Sequence, residues 1–305
     1  MLKTGIQTKT ILDELDLAEG VRAVREAGFA CLDYNLNDLI PQQHIYRKHS
    51  YELLPEVLKL SSFGMKRIRR AVEEGGLTVS QCHAPFPSAL PGRPRLNQTL
   101  CRAVIPWSLK AAAALGSPYL VMHSYDCIDQ FGSGEEWKGN LDLFRGLIPQ
   151  IRQTGVHICI ENLFKPGQLM TDPREGIRLI DSLNEYAGEE LFHLCLDIGH
   201  LHLTQLNEAE VIKSVGDRLK VLHIHDNDGE HDLHRLPRIR EDEPQNGVDW
   251  HAFAKALCEI GFSGVLSLES WGHFAGKRNG QIKNAIQEAG IAARQIAEEC
   301  ENAKG

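Results

Sequence analysis

The sequence predicts a closed (β/α)8 barrel, a single domain over residues 1–305, and three observations carry that prediction. Short apolar or β-branched runs alternate with longer stretches of helical periodicity, and the order recurs eight times to the end of the chain. Several runs, LFHLCL and RLKVLHI among them, are almost continuously apolar, as parallel strands buried on both faces are. No shift of composition marks a linker, so each unit takes roughly 38 residues, within the size such a barrel allows. An open doubly wound sheet competes with this reading, but its Gly-x-Gly-x-x-Gly turn after the first strand is missing.

The first strand covers residues 3–8, and an amphipathic helix over 17–27 closes at Gly28, a frequent helix stop. A second strand spans 31–34, and a long polar segment, 35–62, leads to a helix over 65–74. Gly75 and Gly76 end that helix before a third strand at 77–82. His83 and a proline-rich loop (Pro85, Pro87, Pro91, Pro94) precede a helix over 98–115, and a fourth strand spans 118–122. Within that helix Pro106 predicts a kink, because it lacks an N–H and its ring crowds the preceding turn. Four more rounds place helices at 136–153, 173–186, 208–215 and 250–260, with strands at 156–160, 192–196, 219–224 and 265–268. A last amphipathic helix covers 282–299.

Composition narrows the function. Lys and Arg number 33 against 41 Asp and Glu, a net charge of -8, with 42 % hydrophobic and 24 % charged residues, so disordered, collagen-like and membrane-spanning classes are excluded. Acidic residues stand where a signal peptide would be apolar, and a cytoplasmic location is expected. The acidity gives no broad attraction to nucleic acid or anionic lipid, so neither a nucleic-acid nor a membrane partner is expected. Eight scattered cysteines without a Cys-x-x-Cys pair read as free, mostly buried thiols.

In such a barrel the carboxyl ends of the strands converge on one mouth, where the chemistry is done. From the third strand to the eighth those ends are His83, His123, Glu161, Asp197, His225 and Glu269, all metal-capable or acid/base groups. Burying them uncompensated is expensive, and a bound cation supplies the compensation. Three carboxylates and an imidazole (Glu161, Asp197, His225, Glu269) without a thiolate suit a hard or borderline divalent ion. In Leu196-Asp197-Ile198-Gly199-His200 a carboxylate and an imidazole can face one cavity. In His223-Ile224-His225 strand alternation sends both histidines to one side, with His225 nearer the mouth and His223 behind it or in the core. Asp232-x-His234 is a further pair within reach of the mouth.

These residues resemble a known group. His83-Ala-Pro, Val121-Met-His123-Ser, Ile160-Glu161-Asn162, Leu196-Asp197-x-x-His200, His223-Ile-His225-Asp226-Asn227, Asp232-x-His234, Gly247-Val-Asp249-Trp250 and Leu268-Glu269 are similar, in order, to the xylose-isomerase-like barrel superfamily. That superfamily holds sugar and sugar phosphate isomerases and epimerases together with endonuclease IV-type repair enzymes. The resemblance implies one divalent ion on Glu161, Asp197, His225 and Glu269, manganese foremost, with zinc, magnesium or cobalt as alternatives. It also implies that Glu161 and Glu269 are opposed acid/base groups and that His200 contacts substrate oxygens. His83, His123, Phe86, Trp271 and Arg235 complete the expected substrate-binding set, for a small sugar or sugar derivative.

The endonuclease IV branch is the rival, since it implies additional metals on His83, His123, His200, Asp232 and His234, for three zinc ions in all and a phosphodiesterase acting on abasic-site DNA. Against it stand the net charge and loops poor in interleaved Arg and aromatic residues, with Tyr46, Arg47, Lys48 and Tyr51 as one candidate patch. Residues 235–246 depart from the short glycine-containing turn the resemblance implies, so Arg235, Arg238 and Arg240 either bind a substrate anion or decorate a solvated loop. The run Lys66, Arg67, Arg69, Arg70 reads as a salt-bridged helix face, because Glu73 and Glu74 follow four residues after the last two. Trp250 is expected to pack against the barrel, and His157, His193 and His202 to be structural. A ring of outer helices leaves surface for a homodimer.

Overall fold

The computed structural model describes residues 1–47, 62–90, 92–125, 135–239 and 246–304. Eight strands run in chain order: β1 Lys3–Gln7, β2 Cys31–Asn35, β3 Thr78–His83, β4 Tyr119–His123, β5 His157–Glu161, β6 Phe192–Asp197, β7 Leu219–His223 and β8 Val265–Leu268. They pair in parallel in the order β7-β6-β5-β4-β3-β2-β1-β8. Just past β7, Ile224 pairs in parallel with Leu268, donating to the Ser267 carbonyl at 2.8 Å and accepting from the Glu269 N–H at 2.9 Å. The sheet is thereby closed, and the single-domain (β/α)8 barrel is the observed fold.

Burial explains why these segments are strands. Every residue of β2 and of β6 is buried, between barrel interior and outer helices. The helix Leu17–Glu26 turns Val21 and Val24 onto the sheet, and its N-terminus is capped by Asp16, which accepts from Glu19 N–H at 2.8 Å. Gly28 and Gly76 follow their helices with φ of 95° and 78°, backbone that glycine adopts without strain. Inside the barrel, strand alternation stacks layers. Tyr119, His157 and His193 form the lower layer of β4 to β6, with the two imidazoles 2.9 Å apart. Val121, Cys159, Cys195 and Val221 pack as an apolar cluster above them. The next layer up is polar, and it carries the site.

The helical run through Pro106 is unbroken but irregular in the turn just before the proline. The segment divides into a helix Pro94–Thr99, a π turn Leu100–Val104 and a helix Ile105–Leu115 in which Pro106 stands in the first turn. The proline has no N–H to donate back into that turn, and its ring crowds the carbonyl of Arg102, which accounts for the π geometry there. The polar segment contains a 3-10 turn, Leu36–Asp38, and a helix, Gln42–Arg47; Lys48 and Tyr51 lie outside the described residues, as does Arg240. Arg69 and Arg70 pair with Glu73 and Glu74 at 2.7 and 2.6 Å, as their spacing predicts. Trp250 is buried, its Nε1 donating to Asp226 at 3.2 Å. The seven described cysteines are free, and among the described residues no helix is long and apolar enough to cross a membrane.

Candidate metal and substrate site

The ends of β5 and β6 and the residue just past β8 deliver buried carboxylates. Glu161 closes β5, with Oε2 3.1 Å from His83 Nε2 and 3.0 Å from His123 Nε2 and with Oε1 2.8 Å from His223 Nδ1. Asp197 closes β6 and caps the short helix Ile198–Leu203, its Oδ1 accepting from the His200 N–H at 2.7 Å. That cap fixes the carboxylate, and Asn162 braces its backbone by accepting from Asp197 N–H at 2.7 Å. Glu269, just past β8, accepts from Gln7 Nε2 at 2.5 Å through Oε1 and lies 3.1 Å from His223 Nδ1 through Oε2. His223 thus touches both glutamates, and its Nε2 lies 3.0 Å from Asp33 beneath them.

A second cluster adjoins the first. His225 Nε2 lies 2.9 Å from Asp197 Oδ1, and its ring stacks on His234 with centroids 3.7 Å apart. Asp232 Oδ1 lies 3.1 Å from His234 Nε2, and Asp232 Oδ2 lies 3.6 Å from His200 Nε2. Among the described residues the donor atoms form three groups, each within 4.8 Å: His83, His123, Glu161; Glu161, Asp197, His223, Glu269; and His200, His225, Asp232, His234. The sequence pattern sets His225 beside the three carboxylates. In the structure His223 holds that place, and His225, past the end of β7, sits in the neighbouring group while still reaching Asp197.

The charges are strongly coupled. Burial disfavours ionisation of Glu161 and Glu269, yet His223 and the other imidazoles around them hold both carboxyls well below the usual range. Burial also opposes a charge on His200, but Asp197, Asp232 and Glu161 outweigh it and push the imidazole up to about 10. Two buried atoms here have no hydrogen-bond partner, Asp197 Oδ2 and Nδ1 of His225. Such atoms are costly unless something satisfies them. A divalent cation held by oxygen and imidazole donors does so, and the residues present fit one.

Above this floor opens a cavity of about 610 Å³. Of the sequence-predicted residues, His83, Phe86, His123, Glu161, His200, Asp232, His234, Glu269 and Trp271 line it, while Asp197 and His225 are buried beneath. Phe86 lies against His123, ring centroids 5.1 Å apart, and Asn37 pins its backbone, accepting from Phe86 N–H at 2.9 Å. Arg235 is a correction. It is exposed and lines a different groove, with Arg238, Lys277 and Asp226. His234, at φ 45°, points inward, and an antiparallel bridge from Arg235 to Asp226 turns the arginine outward. Sequence reasoning missed Lys9, Asn35, Asn37, Gln42, Lys165 and Gln168, which also line the cavity. Applying the strand-end rule to the second strand would have found Asn35.

Residues 21–292 match the model of the xylose isomerase-like TIM barrel family, and the chain belongs to that family. The uncharacterised protein y4fM of Sinorhizobium fredii is 26 % identical over 283 residues, covering 83 % of this chain and 81 % of that protein. Among solved structures, an L-ribulose 3-epimerase superposes with a TM-score of 0.70 at 15 % identity, covering 100 % of this chain and 96 % of its own. The IolI protein, crystallised with a zinc atom, superposes with a TM-score of 0.68 at 18 % identity, covering 99 % of each chain. At these identities the two structures share the fold.

Proposed function

We propose that the protein is a divalent-metal-dependent isomerase or epimerase of a sugar or sugar derivative. One observation carries the reading: two buried carboxylates, Glu161 and Glu269, meet at the floor of one cavity, both against Nδ1 of His223. The epimerase among the structural neighbours supports the substrate class, and the zinc of IolI supports the metal. Glu161, Asp197 and Glu269, with His225 reaching in through Asp197, would hold the ion; oxygen-rich donors put manganese first, before zinc, magnesium or cobalt. When bound, such an ion polarises a carbonyl and its neighbouring hydroxyl and stabilises the enediolate charge that develops between them.

The remaining work belongs to the chain. One glutamate takes the proton from the carbon next to the carbonyl, and the other returns it from the opposite face, which inverts that carbon. Return to the adjacent carbon gives aldose–ketose isomerisation instead. His83 and His123 hold one oxygen of Glu161 and His223 the other, so its orientation is fixed before substrate arrives. Gln7 and His223 do the same for Glu269. His200, anchored 3.0 Å from the Asn162 carbonyl, turns its other nitrogen toward Asp232 and a substrate oxygen. Phe86 and Trp271 wall the cavity against water. Glu161→Gln and Glu269→Gln are each expected to lower kcat on a converted ketose about 100-fold or more, with the fold intact by circular dichroism. Wild-type turnover in either variant contradicts the assignment.

A second reading, a three-zinc phosphodiesterase of the endonuclease IV type, is favoured by the presence of three donor groups where one would serve an epimerase. Three zinc ions per chain by elemental analysis, with nicking of abasic-site DNA that His123→Ala abolishes, would establish it. One ion per chain and no nicking leaves the sugar enzyme.

A further inference from the structure

A second charge pattern occupies the same cavity above its floor. Lys9, just past β1, places its Nζ 4.6 Å from the ring centroid of Trp271. Trp271 lies against His234, centroids 4.6 Å apart, and His234 stacks on His225. The ammonium is therefore held on a wall that is itself anchored to the metal-capable histidines. Lys165, in the loop after β5, lines the cavity as well. The acids of the lining, Glu161, Asp232 and Glu269, are all engaged by histidines. Among the described residues neither lysine forms an ion pair. Asp38, the acid that feels the charge of Lys9, accepts from the Thr8 hydroxyl at 2.5 Å and does not line the cavity.

A half-buried ammonium on an aromatic face gains cation–π attraction but gives up part of its hydration. It has three N–H donors and accepts nothing. A sugar hydroxyl accepts from it without cancelling its charge, whereas a carboxylate or phosphate oxygen supplies a counter-charge as well as an acceptor. Resting on the reading of this mouth as a sugar site, we propose that the cavity selects a sugar derivative bearing an anionic group, carboxylate or phosphate ester, away from its reacting carbonyl, with Lys9 on Trp271 as the selecting residue. Lys165 adds a second positive charge from the β5 loop. A neutral sugar brings Lys9 no counter-charge from within the cavity, so discrimination is by charge.

The test is calorimetric binding to metal-loaded protein of three probes: a ketohexose, its 6-phosphate, and the ketose oxidised to a 6-carboxylate. One anionic probe is expected to bind wild type at least tenfold more tightly than the parent ketose, and the tighter of the two identifies the anion. Lys9→Met is expected to remove the preference and Lys9→Arg to keep it, with Lys9→Gln as a second neutral variant should the methionine disturb folding. Because phosphate can also ligate a metal, the loss of preference in Lys9→Met is the decisive readout. Equal affinity for charged and neutral probes, an undiminished preference in the neutral variants, or no binding of either anionic sugar overturns the proposal. The readout is binding and not turnover, so Lys9-dependent anion binding would stand even where wild-type turnover in Glu161→Gln and Glu269→Gln retired the isomerase reading.

Discussion

A Cβ placed on Gly199 would stand 2.0 Å from Cε1 and 2.5 Å from Nε2 of His225, distances that no side chain tolerates. The glycine lets the helix after β6 pass directly against the imidazole, so that His225 Nε2 comes within 2.9 Å of Asp197 Oδ1. Gly199→Ala is expected to push His225 off Asp197 and weaken divalent-metal binding by about 10- to 100-fold, the scale seen when a ligand's support is removed. Competition against a chelating dye measures it, and unaltered affinity would contradict the place given to His225. The sequence made His225 and the carboxylates visible because each ends a strand and each is chemically specific. It could not reveal that His223 sits between Glu161 and Glu269, because both histidines share one face of β7 and only the packing of Asp33 beneath decides which one meets the glutamates. Lys9 was hidden for another reason: a lysine past a first strand has no spacing that separates it from a solvated one.

Elements set where these residues point. The 3-10 turn Leu36–Asp38 after β2 is tied to the end of β1 by the Thr8 hydroxyl, which donates to Asp38, while the Asn35 N–H donates to Thr8 at 2.9 Å. Burial pushes the Asp38 carboxyl up to about 7 from an ordinary value near 3.8, against the opposing Thr8 bond. With its folded value above its unfolded one, this carboxyl keeps its proton in the native state while the unfolded chain loses it. Its contribution to stability therefore falls as pH rises from about 4 to about 7 and is constant beyond. Asp38→Asn, which keeps an acceptor for Thr8, is expected to gain thermal stability over wild type progressively across that window; melting curves at a pH series show it, and parallel curves would contradict the burial of that charge. Strand and helix positions were legible because period and apolar runs fix them. Loops were not, as residues 232–239 illustrate. Nothing periodic distinguishes Arg235 from His234, and one positive φ with one bridge to Asp226 sends the first outward and the second into the site.

At the scale of the whole molecule, closure of eight units into one barrel brings strand ends from distant parts of the chain to one mouth. Gln7 and Glu269, 262 residues apart, share a hydrogen bond there. That fold was readable from repetition alone, because only a closed parallel sheet gives every unit the same surroundings. Part of the net charge of -8 was readable as the strand-end carboxylates Glu161, Asp197 and Glu269, but not that imidazoles stand against each of them. What the barrel does with them is tested most directly by solvent exchange. Metal-loaded protein in D2O with a panel of neutral and anionic ketoses is predicted to place deuterium on the carbon beside the carbonyl of at least one of them, with incorporation lost in Glu161→Gln and Glu269→Gln. Deuterium entering none of the sugars, or entering equally in both variants, would contradict the account.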